Sequence, residues 1–387
     1  MVARATTHAG FSHTLSASGI PPDARRRHPL LLPWLAGLWA GLLMLFVPLA
    51  MAPEAWAADA TWTLDINAVH NRSLSYVRAL ERIAARVGRD SGGRLKVAVH
   101  ASTGSEGESL KDLIRGRLGG AFLTPTALSF SFRNFRALEA PGLFQDYQQV
   151  REFVGSPMDD RLRAMARSRN LHILGYGSAG FPGILVIPEW HTLGEEGVLS
   201  LRTPADPWVN SLLEGYTLSL EDGAWRGALR LKTASVPVED VEGALSAGWI
   251  HGVWAAPEIL ARTSWAGRAA RYLHPRLIHG WVVLAVGARW FGALPTDLRN
   301  LLERTAREEM ERSLLDAEAV ELDVLRKWQA GEGPRVELSD PRTLAAPLRA
   351  RVEPELRQIQ GLWGGLPGLL TLFAERTAPG VGLPAAP

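Results

Sequence analysis

Few side chains in this sequence have the type and spacing to do chemistry. The 387 residues include no cysteine, which removes thiolate nucleophiles, thiolate metal sites and disulfides. No G-x-S-x-G, H-E-x-x-H or P-loop occurs, and the ten histidines are scattered, with no pair at metal-ligand spacing. Gly175-Tyr176-Gly177-Ser178-Ala179-Gly180 has the form of G-x-G-x-x-G. A dinucleotide site needs a helix N-terminus next, whereas Phe181-Pro182 and a further strand follow, so a flexible crossing fits better. Arg202 stands apart, at the end of the short apolar strand Leu199-Ser200-Leu201. A guanidinium there is hard to bury without an anion, and its planar fork suits a carboxylate. A structural ion pair with one of the many Asp and Glu residues is the alternative. No nucleophile–base pair supports an exported enzyme, and no cofactor or metal is expected.

The elements that must position these groups alternate from Trp62. Trp62–Asn67 reads as a strand, and Leu74, Val77, Leu80, Ala84 and Val87 keep helical spacing. Leu95–Val99 is a second strand, Ser109–Leu118 a helix and Ala121–Leu123 a third strand, which predicts an α/β fold with a mostly parallel sheet. A second β/α segment has strands at His172–Gly175, Ile184–Ile187, Leu199–Arg202, Trp249–Trp254 and the apolar Gly280–Val286, with a helix at Val238–Ala247. From about Leu298 to Gln329 the helical period runs unbroken, about 48 Å at 1.5 Å per residue. Such a helix must lie across more than one lobe. Ligands in open α/β sheets sit beyond the carboxyl ends of strands. That nominates His70 and Asn71, then Gly104, Ser105 and Glu108, then Thr124 and Thr126. Ser105 also reads as a plain helix N-cap.

The first 57 residues have the form of a signal peptide, with Arg25-Arg26-Arg27, an uncharged run Leu30–Met51 and Ala55-Trp56-Ala57. An uncleaved membrane anchor is the alternative. Of 42 Lys+Arg and 40 Asp+Glu, four and two lie in that segment, leaving 38 of each and no net charge. With no basic stripe and no aromatic-basic alternation, nucleic acid is not an expected partner. Positions 378–387 read as a disordered tail.

An ordered series of motifs carries a resemblance. It runs through Thr103-Gly104-Ser105 and Ala137-Leu138-Glu139-Ala140-Pro141-Gly142-Leu143-Phe144-Gln145-Asp146-Tyr147. Gly180-Phe181, Leu199-Ser200-Leu201-Arg202-Thr203-Pro204, Val236–Leu245, Gly248–Gly252 and Leu294-Pro295-Thr296-Asp297-Leu298 follow. Together, over about residues 62–340, these resemble the DctP-like solute-binding subunits of tripartite ATP-independent periplasmic (TRAP) transporters. The resemblance implies a two-lobed periplasmic-binding-protein fold with an interlobe cleft, crossing strands and a long helix spanning both lobes. Residues 58–179 would form lobe 1, completed by about 284–330. Residues 180–283 would form lobe 2, completed by C-terminal helices at about 331–377. It further implies a periplasmic, monomeric protein that captures a small organic acid and hands it to a TRAP membrane permease, with Arg202 on the ligand carboxylate. A sensor or lipid-like carrier without its own permease is the alternative.

The sequence departs from the family pattern at the site. Pro182 stands where a second basic residue is common, Ala255 where an asparagine is, His251 for an aspartate and Trp254 for a glutamate. Pro141-Gly142 replaces a Pro-Phe pair. Trp254 then becomes the candidate pocket wall, with Ala255 and His251 beside it. The expected ligand is a monocarboxylate with an apolar or aromatic body.

Overall fold

Alternation along the first strand does place Leu64, Ile66 and Ala68 inward, because side chains on a pleated strand point to opposite faces in turn. The computed structural model describes residues 61–338 except 103, 189–196 and 223–224, together with 348, 350, 351, 353, 354 and 357. The expected signal peptide, tail and most of the C-terminal helices lie outside the described residues.

One sheet holds β1 (Trp62–Ala68), β2 (Leu95–Ala101), β3 (Gly120–Leu123), β4 (Leu171–Gly180) and β11 (Gly280–Gly287), in the order β2-β1-β3-β11-β4. The other holds β5 (Gly183–Val186), β6 (Val198–Thr203), β7 (Thr217–Asp222), β8 (Trp225–Ser235), β9 (Gly252–Ala255), β10 (Arg271–His274) and β12 (Arg335–Leu338), in the order β12-β10-β5-β9-β6-β8-β7. Each sheet is the core of one lobe of a mixed α/β fold.

The sheets are less parallel than expected. β11 runs antiparallel to both β3 and β4, and β5 runs antiparallel to both β9 and β10. These are the strands on the far side of each crossing, so the chain enters each sheet against its direction. The first crossing is Phe181-Pro182, between β4 and β5; the second is Pro275–His279, between β10 and β11. The whole of β11 therefore belongs to the first sheet, and the return to lobe 1 precedes the boundary expected at residue 283.

Ten helices among the described residues pack on the sheets: α1 (Ser75–Asp90), α2 (Glu106–Arg115), α3 (Pro125–Ser129), α4 (Tyr147–Phe153), α5 (Pro157–Arg167), α6 (Pro207–Leu213), α7 (Val241–Ser246), α8 (Pro257–Leu260), α9 (Ala288–Ala293) and α10 (Thr296–Gln329). The 34 residues of α10 are the expected spanning helix. Its amino-terminal half buries Leu298, Leu302, Ala306 and Met310 with the β1–α1 core. Its last turns bury Val324, Leu325 and Trp328 with Leu185, Val253 and Tyr272 of the second sheet. The glycines of β4 explain how it lies so close. A Cβ on Gly175 would sit 2.8 Å from Met310 Cβ, and one on Gly177 would sit 2.9 Å from Met310 Cε. These residues are strand interior beneath a helix, not the flexible crossing that their spacing suggested. Only Gly180 turns, with φ +89°, where the chain leaves for the second sheet.

Candidate functional site

β1 and β3 are parallel neighbours, so their carboxyl ends lie together at one edge of the first sheet. His70 follows β1, and its Nε2 is 3.8 Å from Glu106 Oε1. The other oxygen of Glu106 accepts from the Thr124 N–H at 2.8 Å and from Thr124 Oγ1 at 2.6 Å. One carboxylate thus joins the ends of β1, α2 and β3. Burial pulls the His70 imidazole below its ordinary pKa, and nearby Glu106 offsets this only in part. Nδ1 of His70 is buried without a hydrogen-bond partner.

The other nominated residues of this lobe have local roles. Asn71 Oδ1 accepts from the Ser73 N–H at 2.9 Å and shapes the turn before α1. Ser105 caps α2 by accepting from the Glu108 N–H at 3.2 Å, and Glu108 is exposed. The group that reaches inward is Glu106. Reading the helix as beginning at Ser109 left Glu106 in a loop. The Ser105 cap was the signal that placed it in the first turn.

In the second sheet, β6 lies parallel between β8 and β9, with Arg202 beside Val253 and Ala234. Arg202 is partly buried, and its Nε donates to the Val236 carbonyl at 2.9 Å. Among the described residues no carboxylate lies within 4.0 Å of it, so the structural ion pair considered for it is not made there. Burial lowers its pKa, opposed by the charge of Glu239.

The structure moves Trp254 away from this arginine. Alternation places Arg202 on the same side of the sheet as Val253 and Ala255, which pack with Leu185, Val241 and Leu260. Trp254 points to the other side, with Ile184, Leu201 and Leu213. There it lines a cavity of about 290 Å³ with Leu273, Leu277 and Leu348. Ala255 is buried, and its carbonyl accepts from Tyr272 Oη at 3.1 Å. His251 stands at the amino end of β9, its N–H on the Ser200 carbonyl at 2.7 Å, away from the strand ends that gather the other groups. Trp249 precedes the strand and is 76% exposed.

Three polar contacts between the lobes were not foreseen. Glu258 begins α8 just past β9 and is 2% exposed. Its Oε1 accepts from the Ser75 N–H at 3.0 Å and from Ser75 Oγ at 2.8 Å, at the N-terminus of α1. Arg136 reaches from lobe 1 to Asp206, which caps α6, and lies over the Trp208 ring at 4.6 Å. Thr126 Oγ1 is 2.6 Å from Asp206 Oδ2, and Glu139 Oε2 is 2.7 Å from Arg136 Nη1. Burial and the Asp206 charge push Glu139 up to about 8. At the crossings, Glu321 of α10 accepts from Tyr147 Oη and the Phe181 N–H, both at 2.9 Å. Its other oxygen is 3.6 Å from His274 Nε2 and 3.8 Å from Arg276 Nη2.

Among the described residues the arrangement has an arginine with no carboxylate within 4.0 Å, at the end of a strand in the second sheet. The sequence matches the family of bacterial extracellular solute-binding proteins, family 7 (DctP), over residues 66–360. A comparison with curated proteins finds no match. Among solved structures, a TRAP periplasmic solute-binding protein from Haemophilus influenzae RdAW with bound L-gulonate is 15% identical. The similarity covers 82% of this chain and 100% of that one, with a TM-score of 0.66. The sugar acid binding protein of Advenella mimigardefordensis, in complex with galactonate, is 16% identical over 82% of this chain and 99% of that one, TM-score 0.66. A TRAP periplasmic solute-binding protein from Pseudomonas aeruginosa PAO1 with bound L-malate is 14% identical over 77% and 99%, TM-score 0.62. With the family matched across most of its length, and with the two-sheet fold to go with it, this chain belongs to the DctP family of extracytoplasmic solute-binding proteins.

Proposed function

We propose that the protein captures a small monocarboxylic acid between its lobes and delivers it to a TRAP-type membrane permease. The observation that carries this is Arg202. Its guanidinium is partly desolvated and held by one backbone carbonyl, with no acidic partner among the described residues. A ligand carboxylate completes such a site with two parallel hydrogen bonds. The similar structures hold gulonate, galactonate and malate, all carboxylates.

A single carboxylate is favoured because Pro182 supplies no second cation and Arg136 is already engaged by Asp206 and Glu139. An aromatic wall at Trp254 has lost its support, since that ring faces the opposite side of the sheet. Closure would rotate the lobes about the two crossings and sequester the ligand.

Calorimetry on Arg202→Ala tests the reading. Losing one partner of a desolvated charge pair costs about 2–5 kcal/mol, so affinity for the bound acid should fall roughly 30- to 4,000-fold. Arg202→Lys should recover only part, because it loses the fork. Unchanged affinity in Arg202→Ala would remove Arg202 from the site.

A further inference from the structure

The cavity beside Trp254 measures about 290 Å³. Its inner wall, among the described residues, is Ile184, Leu213, Trp254, Leu273, Leu277 and Leu348, each at most 8% exposed. Tyr216, Thr217 and Glu337 also line it and are less buried, so they mark its mouth.

Native interiors are close-packed and hold few voids larger than a water molecule. At about 30 Å³ per molecule in the liquid, roughly ten waters would be needed to fill this space. A wall of aliphatic side chains and an indole offers them few hydrogen bonds. Apolar cavities of this kind stay dry and take apolar guests, and one of about 150 Å³ holds benzene. Collapse does not close the space, because separate elements hold its walls. Ile184 and Trp254 are register partners in β5 and β9, Leu273 lies in β10 and Leu213 ends α6. Leu277 belongs to the second crossing, where its carbonyl accepts from the Gly142 N–H at 2.7 Å.

The cavity is separate from Arg202, which lies beside Val253 on the other side of the sheet. The only charged group lining it among the described residues is Glu337, which is paired with Arg271. An anion would enter with no counter-charge and with a carboxylate at the mouth, a desolvation cost that a neutral molecule does not meet.

We propose that this cavity is a second binding site, for an uncharged aromatic or alicyclic molecule of about one to two rings. Trp254 meets the guest ring edge-on or offset-stacked, and the leucines close around it. A single polar group on the guest points to the mouth, toward the hydroxyls of Tyr216 and Thr217. The site does not depend on Arg202 and stands apart from the carboxylate reading.

Calorimetry with toluene, indole and benzoate tests it. Toluene and indole should bind the mature protein with a Kd of about 1 mM or below. In Arg202→Ala, which removes the proposed acid site, both should bind as in wild type, and benzoate at least about tenfold more weakly. Leu218 lines the cavity from the edge strand β7 and is only partly buried. Leu218→Trp therefore places an indole in the void from its rim and should weaken toluene binding by about tenfold or more. Xenon under pressure should give a density peak beside Trp254 in wild-type crystals, which locates the site without any variant. Absence of that peak, or no binding of toluene and indole, would overturn the site. Toluene binding that is lost in Arg202→Ala, or undiminished in a folded Leu218→Trp, would place the guest elsewhere and overturn it too. Benzoate matching toluene in Arg202→Ala would overturn the uncharged class.

Discussion

Replacing Glu321 with glutamine should change how stability depends on pH. The Glu321 side chain is buried on the spanning helix, against both crossings. Burial pushes its carboxyl from the ordinary 4.5 up to about 7, despite the donors Phe181 N–H and Tyr147 Oη and the nearby charge of Arg276. His274 does not supply a counter-charge, because burial and Arg276 hold it down at about 3. A carboxyl whose pKa rises on folding favours the fold while it is protonated. Its contribution is intact below about 4.5 and is lost as pH climbs through about 7. The rise corresponds to about 3 kcal/mol. Glutamine keeps an acceptor for Tyr147 and Phe181 and cannot ionise. The variant should be close to wild type near pH 4.5 and more stable by about 3 kcal/mol at pH 8.5. Urea denaturation at half-unit steps of pH measures this. Glu139 titrates in both proteins, so the difference between the two curves isolates Glu321. A difference that stays flat from pH 4.5 to 8.5 would refute the reasoning.

Other outcomes follow from contacts already described. Arg136→Met leaves Asp206 and Glu139 facing each other without a cation and should cost about 3–5 kcal/mol in urea denaturation. Gly177→Ala places a methyl 2.8 Å from Tyr76 Cβ and 2.9 Å from Met310 Cε, and should lower stability by about 1–3 kcal/mol in the same assay. Trp254→Phe should reduce thermal stability while calorimetry shows acid affinity unchanged, since the ring faces away from Arg202. Amino-terminal sequencing of exported protein should begin near Ala58; an intact Leu30–Met51 in a membrane fraction would show an anchored form.

Local pattern made the first lobe legible. β1, α1, β2 and β3 lie within a few residues of the ranges that periodicity predicts, and α10 begins two residues before its expected start. These elements each present one continuous apolar face. β7, β8, β10 and β12 were missed. The last two are four residues each and owe their places to pairing with each other and with β5, which no local window contains. Gly175 and Gly177 were taken for mobility because the helix that requires them lies more than a hundred residues downstream. In the site, Arg202 was legible as an unusual residue on a short strand. Glu258 and Arg136 were not. Each looks ordinary in its own segment and becomes significant only through a residue of the other lobe. Trp254 was misplaced because the side it faces is set by its pairing with Ile184 of β5, which no local window contains.

The position of β11 has a consequence for the order of events after synthesis. It lies between β3 and β4, in the interior of the first sheet, yet comes more than 150 residues after β3. The amino-terminal lobe cannot close its sheet until residue 287 has been made. At about 5–20 residues per second, the gap between the first strand and the last that this sheet needs is on the order of 10–50 s. During that time β1, β2 and β3 have no inner partner for the edge of β3, and α1 has no α10 to cover it. A nascent chain of this topology stays unfolded long enough to be threaded through a narrow export channel. A fragment ending before Gly280 should therefore show no cooperative unfolding of its first sheet, although it contains four of that sheet's five strands.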